Sequence, residues 1–190
     1  MKKIKTLFYE IDEILNSNNG EGKLIALGSR PGIGKTTLLL NILKSTMLNN
    51  YFDILMFSIE LSKSNVIERL SKAQPLTPDK LEKIHIDETS SPSIDYIEKV
   101  ISEHNNPKVI FLDYIELVND YTKGYQSDIL TRLKNICKKK GSHIIYTRQL
   151  PRSLEERIDK RPITKDIDEI TLKTVDAIFA LYLNALNQFQ

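Results

Sequence analysis

One run, Gly28-Ser29-Arg30-Pro31-Gly32-Ile33-Gly34-Lys35-Thr36-Thr37, constrains the fold of this chain more than any other. It stands between a short apolar stretch, Lys23 to Leu27, and a segment from Thr36 to Leu48. In that segment Leu38, Leu39, Ile42, Leu43 and Met47 recur at helical spacing. A strand that turns through glycines into a helix is the setting of a phosphate-binding loop. Gly32 and Gly34 let the backbone curl until its N–H groups converge on an anion. The helix N-terminus adds a partial positive charge. Lys35 brings an ammonium to the β- and γ-phosphates, and the Thr36 hydroxyl is a ligand for Mg²⁺. Residues Ser29 to Thr37 are therefore expected to bind a nucleoside triphosphate, ATP with Mg²⁺. One position departs from the usual pattern: Ser29 stands at the first glycine, with Gly28 one residue early.

Strands and helices alternate along most of the remaining sequence. Ile4 to Leu15 is expected as an amphipathic helix, ended by the breaker run Asn16 to Gly20. Asp53 to Ser58 is a second strand, and Ser62 starts a helix carrying Val66, Ile67 and Leu70. A Pro-containing passage from Gln74 to Pro78 leads to a third strand, Ile84 to Asp87. Ser91-Pro92 opens the next helix, with the proline in its first turn. Val109 to Leu112, apolar on both faces, has the character of a central parallel strand. A helix over Ser127 to Lys140 precedes a strand from His143 to Thr147, and Asp176 to Tyr182 is the last strand. The expected fold is α/β: a mainly parallel sheet with helices on both faces, residues 1–190 forming a single domain.

Composition removes several alternatives. With 41% hydrophobic and 27% charged residues the chain has the balance of a soluble globular protein. A formal net charge of +2 neither requires nor excludes nucleic acid. The lone Cys137 falls on one helical face with Ile129, Leu130, Leu133 and Ile136, so it is expected in the core. His85, His104 and His143 have no metal-ligand spacing with it. Glu10, Asp12 and Glu13 break any signal-peptide core behind the basic start, and no apolar run approaches membrane-spanning length. A cytoplasmic location without membrane contact is expected.

Asp113 ends the Val109–Leu112 strand, which places a carboxylate at the sheet edge where α/β folds bind ligands. It is the candidate Mg²⁺ ligand beside Thr36. Hydrolysis also needs a group to orient the attacking water. Many related ATPases carry a carboxylate directly after the metal aspartate, but here that residue is Tyr114. Glu60, after Phe57-Ser58-Ile59, is the first candidate and Glu116 a second, further from the edge.

These stretches together resemble the ATPase domain of DnaB-type replicative DNA helicases, within the RecA-like ATPases. The likeness is carried by Leu24 to Lys35 with Arg30-Pro31 inside the loop, Phe57 to Leu61, Phe111 to Ile115, Gln149-Leu150 with the loop behind it, and Val175 to Ile178. The resemblance implies that Glu60 is the catalytic base, that Arg69 lies near the γ-phosphate and that Gln149 is the phosphate sensor. It also implies single-stranded DNA as a partner, and assembly with itself or with a full-length helicase. Several features depart from the family pattern. The sequence starts at the ATPase core, and no Arg or Lys follows Lys173 where a finger hairpin would stand, so weak intrinsic turnover is expected. Arg148 replaces a small polar residue, Pro151 replaces an Asn, and Asp166-Ile167-Asp168-Glu169-Ile170 replaces an Arg-Glu-Ser-Gly stretch.

Arg148, Arg152, Arg157, Lys160 and Arg161 concentrate positive charge around the sensor strand and its following loop. Arg152, Arg157, Lys160 and Arg161 are the candidate DNA-binding residues, with Tyr121 and Tyr125 as candidate stacking platforms. A solvated loop balanced by Glu155, Glu156 and Asp159 is the alternative. For the whole chain three readings compete: a helicase-type ATPase, an ATP-binding accessory docked on a helicase, and a small-molecule phosphotransferase whose lid is the 152–161 loop.

Overall fold

Six strands form one sheet in the order β3-β2-β4-β5-β1-β6, with every neighbouring pair parallel. This is the arrangement of the computed structural model, which describes residues 3–17, 20–50, 52–72, 75–104, 107–119 and 121–182. The strands are β1 (Leu24–Ser29), β2 (Ile54–Ser58), β3 (Ile84–Asp87), β4 (Val109–Asp113), β5 (His143–Gln149) and β6 (Ala177–Ala180). The helices are α1 (Tyr9–Asn16), α2 (Lys35–Asn49), α3 (Lys63–Ser71), α4 (Pro78–Leu81), α5 (Ile94–Glu103), α6 (Gln126–Lys140) and α7 (Glu169–Thr174).

Period-2 alternation along each strand sends side chains to two separate cores. Leu24, Ala26, Phe57, Leu112, Ile144 and Tyr146 pack with α5 and α6, and Cys137 is buried there as its helical face requires. Ile25, Leu27, Met56, Phe111 and Ile145 pack with α1, α2 and α3. Both faces of β4 are covered, which explains its unbroken apolar run. Each fully buried Leu, Ile or Phe contributes roughly 1.5–3 kcal/mol of transfer free energy.

The register decides what meets at the edge. Ser29, the last residue of β1, is level with Gln149 of β5, and Ser58 of β2 is level with Asp113 of β4. β5 lies between the strand that feeds the phosphate loop and the strand that ends in Asp113. Four strand ends therefore deliver their C-terminal residues to one rim.

Three expectations are corrected. The N-terminal helix begins at Tyr9 rather than Ile4. Side chains hold the preceding segment outside the helix: the Ile4 N–H donates to Asn16 Oδ1 at 2.7 Å and the Thr6 N–H to Asp12 Oδ1 at 2.7 Å. Leu7, at φ +66°, cannot continue a right-handed helix. Ser91-Pro92 does not open α5; Ser93 caps it, accepting from the Tyr96 N–H at 3.2 Å, because Ser91 sits at φ +50°. The last strand is shorter than the apolar run Asp176 to Tyr182, since Asp176 turns its carboxylate back to the Leu24 N–H at 2.7 Å. Pro78–Leu81 adds a short helix between the expected passage, which ends at Pro78, and β3. Asn18, Asn19 and Gln74, part of the expected breaker and passage, lie outside the described residues.

Candidate nucleotide site

The phosphate loop has the backbone its glycines promised. Gly32 sits at φ +78° and Gly34 at φ +100°. Nothing lies within 4 Å of a Cβ built at either position. Conformation, not space, therefore demands glycine there. Gly34 is the N-cap of α2, and no side chain caps the helix or places an acid in its first turn. Its opening N–H groups are left to face an anion. Gly28 serves packing instead, because a Cβ there would come within 3.1 Å of Leu150 Cδ2.

Pro31, Gly32, Gly34, Lys35, Thr36, Glu60 and Gln149 line a cavity of about 280 Å³ at the sheet rim. Ser29, Arg30, Ile33 and Thr37 belong to the same loop but not to that lining. Ser29 is fully buried, with its hydroxyl donating to the Arg30 carbonyl at 2.9 Å. Lys35 is almost wholly buried, its ammonium 5.3 Å from the centroid of the Tyr114 ring. In the sequence Tyr114 stands out only as an unexpected residue after Asp113. Burial first, then the carboxylates of Glu60, Glu116 and Asp113, push its phenol above the usual tyrosine value. The ring therefore sits among the acidic groups and under the lysine.

Asp113 is 1% exposed at the end of β4. Its Oδ1 accepts the Thr147 hydroxyl of β5, and its Oδ2 is buried with no hydrogen-bond partner. A buried carboxylate oxygen without a donor is costly unless a cation completes it. That orphaned oxygen, with the Thr36 hydroxyl at the cavity, fits a hard cation that takes oxygen ligands.

Glu116 is not free to attend to water. Its Oε1 accepts the Gln149 N–H at 3.0 Å, and its Oε2 is buried without a partner. Burial raises its carboxyl above the usual range, against the Gln149 N–H and the nearby charges of Arg148 and Lys35. Its bond to the Gln149 N–H separates it from Glu60, which lines the cavity from an exposed turn after β2.

A family model described as the DnaB-like helicase C terminal domain matches residues 3–82 and 77–185. The replicative DNA helicase DnaB of Mycoplasma pneumoniae is 32% identical over 224 aligned residues, covering 97% of this chain and 47% of its own length. The chain belongs to the DnaB-like helicase C-terminal domain family. It spans about half the length of that curated relative. Among solved structures, one ATPase domain superposes with a TM-score of 0.77 at 23% identity, over 97% of this chain and 78% of that one. A DnaB-like replicative helicase, solved in a study of its interactions with primase, gives 0.78 at 21% identity over 100% and 55%. The sheet and its flanking helices are thus the RecA-like P-loop arrangement of this family.

Within this family frame, the structure gathers Lys35, Thr36, Glu60 and Gln149 around one cavity, with Asp113 on the strand next to Gln149. It does not bring Arg69 there. Arg69 is exposed on α3 and lines a neighbouring cavity of about 890 Å³ together with Thr37, Asn41, Lys44 and Phe8. The basic loop is also less uniform than its composition. Arg157 is ion-paired with Asp166 at 2.8 Å and donates to the Arg161 carbonyl. Arg152, Lys160 and Arg161 are exposed, with the Arg161 guanidinium 5.9 Å from the Tyr182 ring centroid. Arg148 is buried and paired with Asp168, so it is no surface contact. Tyr121 is corrected as a stacking platform: it is a core residue 5% exposed, whereas Tyr125 is 60% exposed. Among the described residues no helix is long and apolar enough to cross a membrane.

Proposed function

We propose that residues 1–190 act as one ATP-binding and ATP-hydrolysing unit of the DnaB helicase type, working on single-stranded DNA in replication. The buried Oδ2 of Asp113 carries this reading, because it has no hydrogen-bond partner and belongs to a strand end on the rim that the phosphate loop shares. In this scheme the α2 N-terminus and Lys35 hold the phosphates, and Thr36 and Asp113 hold Mg²⁺, which would supply charge neutralisation on the β- and γ-oxygens. Glu60 orients the attacking water and accepts its proton. Gln149 senses the γ-phosphate. The Tyr114 ring, 5.3 Å from the Lys35 ammonium, would steady that charge before nucleotide arrives. Arg69 is assigned to the γ-phosphate by the family resemblance alone. Arg152, Lys160 and Arg161 would meet DNA phosphates, with Arg157 supporting the loop from its pair with Asp166. Assembly with further copies or with a full-length helicase rests on the family resemblance.

The test is calorimetry with Mg²⁺ and ATP, followed by turnover with and without single-stranded DNA, for the wild type and Glu60→Gln. Expected are nucleotide uptake by both proteins and a loss of turnover of about 10²-fold or more in the variant. DNA should stimulate only the wild type. Absence of nucleotide uptake by the folded wild type would overturn the proposal.

A further inference from the structure

Two departures from the family pattern, far apart in sequence, meet in space. Arg148 Nη1 lies 2.7 Å from Asp168 Oδ2 and also donates to the Thr171 hydroxyl. That hydroxyl in turn donates to Asp168 Oδ2 at 2.9 Å. Asp168 is the N-cap of α7, taking the Thr171 N–H on Oδ1 at 2.8 Å. The aspartate thus divides its two oxygens, one for the helix and one for the arginine. Burial would raise its carboxyl, but the Thr171 N–H and the Arg148 guanidinium outweigh it and hold the carboxyl below its usual range.

The placement of this pair gives it a consequence. Successive side chains of β5 point to opposite faces. Ile145 belongs to the core under α2, and Tyr146 to the core under α6. Gln149 follows Ile145 and lines the phosphate cavity; Arg148 follows Tyr146 and reaches α7. The peptide between them is gripped by Glu116 at the Gln149 N–H. On the far side, Asp166 stands two residues before Asp168 and holds Arg157 at 2.8 Å and the Ile163 N–H at 2.7 Å. A continuous path of chain and hydrogen bonds therefore runs from Gln149 through Arg148, Asp168 and Asp166 to the basic loop. A backbone shift at Gln149 would either carry α7 along or part an ion pair whose Arg148 half is buried and whose Asp168 half is 32% exposed, and parting it leaves the arginine charge uncompensated.

We infer that Arg148 and Asp168 are positioning residues that strap the sensor Gln149 to the 152–166 loop, so that filling the phosphate cavity changes the exposure of that loop. The inference rests on the nucleotide reading above and adds the device that transmits it. Neither side chain lines the cavity, so both should affect turnover and loop response while leaving nucleotide affinity alone.

The experiment uses the whole chain with Mg²⁺ and a non-hydrolysable ATP analogue. Trypsin cleavage after Arg152, Arg157 and Lys160 is timed with and without analogue, and analogue affinity is measured separately by calorimetry. The key variant is Arg148→Met with Asp168→Asn. It removes both charges together, which spares the fold an unpaired ion, and Asn still caps α7. If it does not fold, Thr171→Val, which removes the hydroxyl joining the two side chains and leaves both charges paired, gives the same readouts with a partial loss of the response. In the wild type the analogue should change loop cleavage severalfold. In the variant that response should vanish, kcat should fall about tenfold and KM should stay unchanged. Arg148→Lys as a single change, with Asp168 intact, should retain part of the response. If the wild type takes up analogue but its loop cleavage does not respond, or the variant responds like the wild type, the strap is refuted while the nucleotide reading stands. If the folded wild type takes up no analogue, both fall.

Discussion

His143 opens the strand that carries Thr147, Arg148 and Gln149, and it sets a pH limit on the whole arrangement. It is 3% exposed, and its Nδ1 accepts the Lys23 N–H at 3.1 Å. Protonating Nδ1 would turn that bond into two donors facing each other. Burial first, then the charges of Lys108 and Lys23 against Asp176, push the imidazole down to about 4. The unfolded chain keeps the ordinary value of about 6.5. Between these two values the unfolded chain holds a proton that the folded chain does not, so stability rises with pH. It is fully present above about 6.5 and lost as pH falls towards about 4. Between pH 7.5 and pH 5 the loss from this group alone comes to about 2 kcal/mol, from a full linkage of roughly 3 kcal/mol. His143→Asn keeps an acceptor for Lys23 without a proton to gain. Urea unfolding at both pH values should show the wild type losing about 2 kcal/mol more than the variant. Equal losses, or an imidazole titrating near its ordinary value in the folded protein, would refute the reasoning.

Gly34→Ala forces an L-residue to φ +100° at the mouth of α2 and should cost about 1–2 kcal/mol of stability. Calorimetric scans should show a lowered Tm together with weaker nucleotide uptake; an unchanged Tm contradicts the claim that conformation alone demands glycine. Glu116→Gln keeps the acceptor for the Gln149 N–H and removes a charge whose burial raises its carboxyl. The wild type therefore loses stability as pH rises through the folded value of Glu116, so the variant should be the more stable at pH 7.5. Urea midpoints that do not converge below about pH 4 would count against this.

What the sequence makes legible is whatever depends on neighbours in the chain. The loop glycines, Lys35 and Thr36 follow one another, and their geometry is set by backbone conformation. Asp113 is legible because an apolar strand must end at the sheet edge and the next residue is an acid. The roles of Glu116, Tyr114 and Arg148 stay hidden, because each depends on a partner brought in by strand order. Arg148 and Asp168 look like two unrelated surface charges until β5 and α7 set them 2.7 Å apart. Ile4 misleads for a local reason: its apolar spacing suits a helix, yet Asn16 and Asp12 supply acceptors that an extended backbone satisfies better.

The bond from Thr147 to Asp113 spends one of the two carboxylate oxygens inside the protein. The other oxygen, Oδ2, is left without a donor, so the two ends of one carboxylate are no longer equivalent. For the Mg²⁺ role proposed above, that asymmetry would suit an ion that keeps most of its own water and needs a single anchoring oxygen, with the threonine of the neighbouring strand fixing which oxygen that is.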